Sequence, residues 1–127
     1  MLDHIGIGVS DVARAKAFYN KALAPLGIAL VMEVSAEQTG DQPACGFGSQ
    51  AKPYFWFGGA PDVARSHIAF VAKDRASVDT FYKAALAAGG TDNGAPGLRP
   101  HYHANYYGAF VLDPDGHNIE AVCHSPA

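Results

Sequence analysis

Residues Leu2 to Val9 alternate in character. Leu2, His4, Gly6 and Gly8 fall on one face, and Asp3, Ile5, Ile7 and Val9 on the other, the period-two pattern of a strand. From Val12 the period changes. Val12, Ala15, Phe18, Tyr19, Ala22, Leu23 and Leu26 recur at helical spacing, with Ser10 or Asp11 placed to cap the start and Gly27 to close the end. Ile28 to Val34 reads as a second strand. After the turn-rich Thr39 to Pro43, Ala44 to Ser49 and Pro53 to Phe57 read as two more. The first half is therefore β-α-β-β-β. Gly58 to Val63 links it to a similar pattern: a strand over Ser66 to Ala72, a cap at Asp74, and a helix lined by Val78, Phe81, Tyr82, Ala85 and Leu86 that ends at Gly89 and Gly90. Thr91 to Pro100 is broken by Gly and Pro and reads as irregular. Tyr106 to Leu112 is a strand, Asp113 to Gly116 a turn, and Asn118 to Cys123 the last strand.

The similarity of the halves extends to residue identity. Displaced by 63 residues, Leu2 to Gly27 falls on Arg65 to Gly90. Identical pairs include His4 and His67, Asp11 and Asp74, Phe18 and Phe81, Tyr19 and Tyr82, and Gly27 and Gly90. A repeat of this kind predicts two equivalent structural modules, 1–58 and 64–127, within one domain spanning 1–127. The repeated Phe-Tyr pairs sit at core spacing on the helices and read as packing.

Composition then removes several function classes. The net charge is −3 and the basic residues form no stripe, which argues against nucleic acid as a partner. Cys45 and Cys123 lie far apart and make no zinc knuckle or disulfide framework. No apolar run approaches the ~18 residues of a membrane span, and the start lacks the pattern of a signal peptide. A cytoplasmic protein without membrane association is the expectation.

Three residues carry candidate chemistry. His4 and His67 open equivalent strands, and Glu120 sits inside the apolar last strand. A histidine at a strand start is usually structural, and a strand glutamate usually faces water. The repeat alters that balance, because it places two imidazoles in equivalent positions. A carboxylate within a short apolar strand is costly to bury unless paired or coordinated. Two imidazoles and one carboxylate suit a divalent metal with open positions, and the donor set allows Fe, Mn, Ni, Co or Zn.

A second cluster runs from Arg99 to Tyr107, ahead of a strand that can border Glu120. His101 or His103 could act as acid or base, Tyr106 or Tyr107 could donate to an oxyanion, and Arg99 could clamp a carboxylate or phosphate. The alternative is a polar loop facing water. His103 and Tyr107 are the first choices for catalysis, with Arg99 and His101 in substrate binding. His117 and His124 are expected to be exposed. In the aromatic strand, Tyr54 and Trp56 alternate with Phe55 and Phe57, so one face can wall a substrate while the other packs under the helices.

The segments LDHIGIGVSDVARAKAFYNKAL, SHIAFVAKDRASVDTFYKAAL and GAFVLDPDGHNIEAV resemble the vicinal oxygen chelate superfamily, which holds glyoxalase I, extradiol dioxygenases, and the fosfomycin and bleomycin resistance proteins. The resemblance covers nearly the whole chain. It implies an α+β fold of two tandem βαβββ modules whose mixed sheets curl into a half-barrel around a metal cup. His4, His67 and Glu120 match three of the ligand positions. The fourth falls within Pro53 to Phe57, which offers no Glu, Gln or His, a departure from glyoxalase I. Tyr54 could reach a metal, although a packed aromatic strand is the better reading. The resemblance also implies a homodimer, in some members exchanging modules so that each site draws on both subunits. The leading expectation is a metal-dependent enzyme acting on a small oxygen-rich substrate, with lyase or isomerase chemistry favoured over ring cleavage. The alternatives are a drug-binding protein of the bleomycin-resistance type, and a polar core network that binds no metal.

Overall fold

The aspartates that the repeat aligns open both long helices. In the computed structural model, which describes residues 1–126, Asp11 accepts the Arg14 N–H at 3.0 Å and starts α1 (Val12–Ala22). Asp74 accepts the Ser77 N–H at 2.7 Å and starts α3 (Arg75–Ala87). Each helix covers one face of a four-stranded sheet.

The first sheet holds β1 (Ile5–Val9), β2 (Ala29–Val34), β3 (Ala44–Ser49) and β4 (Lys52–Gly59) in the order β1-β4-β3-β2. A short helix, α2 (Ala36–Thr39), joins β2 to β3. The second sheet holds β5 (His67–Val71), β6 (Thr91–Leu98), β7 (Tyr107–Leu112) and β8 (Asn118–Cys123) in the order β5-β8-β7-β6. In each, the first strand runs parallel to the last and the other pairs are antiparallel. The topologies match, so the fold is α+β with two βαβββ modules and no closed barrel. Among the described residues no helix is long and apolar enough to cross a membrane.

The stretch 91–98, read from sequence as irregular, is strand β6. It is an edge strand whose pairing with β7 is interrupted by register shifts around Gly94, and an edge tolerates Pro96 because no further strand needs its N–H. Those features erase the alternation by which a strand is recognised.

The core lies between sheets and helices. Phe18, Tyr19, Phe47, Phe55, Phe57 and Phe81 are fully buried, as the helical spacing predicts for the repeated aromatics. Tyr82 is only partly buried. Across the modules, Phe55 meets Phe70 edge-on at 5.3 Å, and α1 packs on α3.

The turn before β8 fastens module two to module one. Asp113 is buried and accepts the Tyr19 hydroxyl at 2.6 Å. Asp115 accepts the backbone N–H of Ser10 at 3.1 Å. His117, expected at the surface, is completely buried. Its Nδ1 accepts the Ser66 N–H at 2.9 Å and its Nε2–H donates to the Gly8 carbonyl at 2.8 Å. Those two bonds specify the neutral Nε2–H tautomer, and they satisfy free-edge backbone groups that burial would otherwise leave unpaired.

Candidate functional site

Strand parity and register decide what Glu120 touches. In β8, Ile119, Ala121 and Cys123 alternate with Glu120 and Val122 and are buried in the main core. Glu120 pairs in register with Ala69 of β5 and Phe110 of β7, and only 1% of it is exposed. A carboxylate in that setting must be matched by donors. His67, two residues before Ala69 on the same strand face, brings Nε2 within 3.0 Å of Glu120 Oε1. Tyr106 donates its hydroxyl to Oε2. Burial, followed by that hydrogen bond to the carboxylate, holds the Tyr106 phenol well above its ordinary pKa. The neighbouring Asn118, in register with His67, has a buried Oδ1 with no hydrogen-bond partner.

Around this group stand aromatic rings and imidazoles. Tyr106 meets Tyr102 at 4.8 Å and His124 at 5.3 Å, both edge-on. His103 Nδ1 accepts the Asn105 N–H at 3.0 Å, so its Nε2 carries the proton when the ring is neutral and is aimed at His124 Nδ1, 2.6 Å away. His124 is exposed, as expected, but it is not isolated. Arg99 spends donors on the carbonyls of Gly97 and Ala95, both at 2.8 Å, and its guanidinium lies over the Phe110 ring. His101 packs on Tyr102 at 4.2 Å between ring centres.

His4 does not join this cluster within one chain. Its Nδ1–H donates to Asp3 at 2.7 Å, and Asp3 also pairs with Lys52 at 2.7 Å. The Lys52 ammonium, and then His4, hold the Asp3 carboxyl below its usual range. His4 lines a groove of about 600 Å³ with Lys52, Tyr54, Phe70 and Val71. Val71 is the far end of β5 from His67, whereas the His67 end is tied through Ser66 and His117 to Gly8, at the far end of β1 from His4. Among the described residues no three His, Cys, Asp or Glu side chains converge as a metal site.

The family to which the chain belongs follows from its sequence as a whole. A family model described as glyoxalase/bleomycin resistance protein/dioxygenase superfamily matches residues 1–121. The chain belongs to that superfamily. Solved structures agree. A glyoxalase/bleomycin resistance protein from Albidiferax ferrireducens T118 is 28% identical, with a TM-score of 0.81 over 97% of this chain and 98% of that one. A glyoxalase-related enzyme from Fulvimarina pelagi is 19% identical, with a TM-score of 0.72 over 97% and 87%. Glyoxalase I from Zea mays is 20% identical, with a TM-score of 0.71; the match covers 95% of this chain and 43% of the maize chain. The last two share the fold. No curated protein matches the chain by sequence.

Register also identifies the residue in module one that corresponds to Glu120. Gly6 pairs with Trp56 across β1 and β4 as Ala69 pairs with Glu120 across β5 and β8. Trp56 is therefore the counterpart of Glu120. Its indole is a donor only and cannot ligate a cation. Trp56 is half-buried and lies against Gly46, where a Cβ would come within 2.8 Å of the ring. Phe55 and Phe57 face the core, so the predicted two-sided aromatic strand is present. Tyr54 stands 3.4 Å from Ser49 in the His4 groove.

Of the two catalytic first choices, His103 borders the Glu120 cluster and Tyr107 does not. The Tyr107 hydroxyl donates to Asp79 of α3 at 2.6 Å, and Arg75 lies over its ring. The hydrogen bond to Asp79, then burial, raises its phenol pKa. The physical reason is strand parity: Phe110 faces Glu120, so Gly108 and Tyr106 share that face and Tyr107 turns to the helix. Residues that the sequence reading passed over are His124, Phe110 and Asn118.

Proposed function

We propose that the protein is a divalent-metal-dependent enzyme that acts on a small oxygen-rich substrate by lyase or isomerase chemistry, in a site shared between two copies of the chain. The observation that carries this reading is the His67–Glu120 pair. A fully buried carboxylate and an imidazole on adjacent strands hold donor atoms 3.0 Å apart, the spacing of neighbouring ligands around one small cation. These residues fit Fe, Mn, Ni, Co or Zn. His4, remote within its own chain, would complete the set from the partner of a homodimer.

A bound cation of this kind would polarise adjacent substrate oxygens. The chain's own residues supply the rest. His103 and His124 hold a proton between them at the rim, where His103 can exchange it with a substrate. The unsatisfied Asn118 amide offers an orienting hydrogen bond. Trp56 and Tyr54 give an apolar wall in module one, and His101 and Arg99 stand beside Tyr102 and Phe110 at the Glu120 cluster; Arg99, partly engaged with backbone, has less capacity to clamp an anion. Two buried free thiols suit a reducing compartment, and the cytoplasm is the proposed location.

The test is metal content in protein purified without a nickel column, beside His67→Ala and Glu120→Ala. About one equivalent in the parent, lost in both variants, is expected. Mixing His4→Ala chains with Glu120→Ala chains should restore one site per mixed dimer; no restoration refutes the shared site. One observation favours a second reading. Both Glu120 oxygens already have partners, so the cluster is also complete as a polar network beside a binding cleft of the drug-sequestering type. A parent that neither carries nor takes up metal would select that reading.

A further inference from the structure

Glu120 has two oxygens and two different partners. Oε1 faces His67 Nε2 at 3.0 Å, and Oε2 receives the Tyr106 hydroxyl. We infer that Tyr106 is a positioning residue that reserves Oε2 and leaves Oε1 alone to face the cation, so that Glu120 ligates through a single oxygen. This inference rests on the metal-centre reading above.

Three features build the arrangement. Parity sets the direction, because Tyr106 lies four residues before Phe110, which is opposite Glu120. Gly108, between them, clears the path: a Cβ there would stand 3.3 Å from Tyr106 Cε1 and 3.5 Å from Glu120 Oε2. The phenol ring is then held edge-on by Tyr102 at 4.8 Å, His103 at 5.7 Å and His124 at 5.3 Å. Rings on several sides restrict the phenol's swing, and with it the carboxylate's. A carboxylate tied at one oxygen resists rotation into a two-oxygen chelate, which keeps a further coordination position open for a substrate. Hydrogen bonds to ligating carboxylates commonly set metal affinity in this way, and their loss costs about 10–100-fold.

The probe is Co(II), read by its dissociation constant and its visible absorption bands. The proteins are the parent, Tyr106→Phe, Gly108→Ala and Tyr102→Phe, with circular dichroism to confirm folding. Tyr106→Phe removes one oxygen atom. It should weaken Co(II) by about 10–100-fold, because the carboxylate loses the hydrogen bond that orients it, and shift the bands, because freed Oε2 can join the coordination sphere. Gly108→Ala, which displaces the same ring by a different route, should move both readouts in the same direction, and it carries the test if Tyr106→Phe does not fold. Tyr102→Phe keeps its ring and should keep the parent's values. If the parent binds Co(II) and Tyr106→Phe matches it in affinity and spectrum, the positioning role is overturned while the metal centre stands. A parent that binds no Co(II) overturns the metal-centre reading and this inference with it.

Discussion

Glu120→Met should make the metal-free protein more stable and at the same time abolish its response to metal. The side chain is 1% exposed, between Ala69 and Phe110 on the neighbouring strands. Sequestering a carboxylate there costs several kcal/mol after relaxation. Its two hydrogen bonds each return about 1.5–3 kcal/mol, which roughly cancels that cost. Met has a similar volume and its burial contributes about 1.5–3 kcal/mol. The groups left behind are uncharged or near water: His67 is 54% exposed at its side chain, and the Tyr106 phenol is held in its neutral form. Unpairing the part-buried hydroxyl takes back about 1 kcal/mol. The net expectation is a gain of about 1–2 kcal/mol, or roughly 3–8 °C in Tm for a chain of this size. The assay is thermal unfolding in chelator and again in Co(II), at equal protomer concentration. In saturating Co(II) the parent should gain about 4 kcal/mol at a thousandfold excess over Kd, and the variant nothing, so the order of stabilities inverts. A variant less stable than the parent in chelator by more than about 1 kcal/mol would refute the reasoning, because Glu120 would then be a structural residue whose burial the fold itself needs.

Two further substitutions separate module clamping from site chemistry. His117→Ala removes the imidazole that partners two part-buried backbone groups and leaves a cavity, and should cost roughly 3–5 kcal/mol in urea unfolding; a loss below about 1 kcal/mol would show that the modules do not depend on this imidazole. Tyr107→Phe should cost about 1 kcal/mol at neutral pH and leave metal content unchanged. Because Asp79 raises the folded-state pKa of Tyr107 above 10.0, its contribution is complete below pH 10.0 and disappears as pH rises through the raised value. Parent and variant should therefore converge in stability on the alkaline side, and a constant gap between them there would count against the Asp79 contact.

Periodicity was a reliable guide wherever the chain repeats and packs. Asp11 and Asp74 cap helices, Phe18 and Phe81 are buried, and Phe55 and Phe57 face the core, because each obeys a local period tied to one apolar face. Local periods say nothing about who stands opposite whom. Thr91 to Leu98 hid as a strand because its register shifts break the alternation. The burial of His117 is not legible locally, because a histidine just after a turn is ordinarily wet; Ser66 of its own module supplies one backbone partner, and only the packing of the second module on β1 supplies the other, Gly8. Tyr106 was within reach of the sequence. Folding the last two strands about the Asp113 to Gly116 turn sets Phe110 opposite Glu120, and counting back by twos arrives at Tyr106, not Tyr107.

The same bookkeeping of register explains why an internal repeat can yield a site that is not symmetric. His4 and His67 are equivalent, but His4 pairs in sequence with a strand that presents Trp56 where the second module presents Glu120. An indole at that point supplies area and no acceptor, so module one has no counterpart of the Glu120 carboxylate beside His4's strand. Module two has the carboxylate, the phenol that holds it, and the histidine pair at the rim. Because His117 ties the His67 end of β5 to Gly8 while His4 lies by Val71, at the other end, His4 cannot reach the pair in its own module two. The division of roles between modules and the separation of the histidines thus lead to one requirement. If His4 joins His67 and Glu120 around a cation, it must arrive from a second copy, which is why mixing the His4 and Glu120 variants is more decisive than either variant alone.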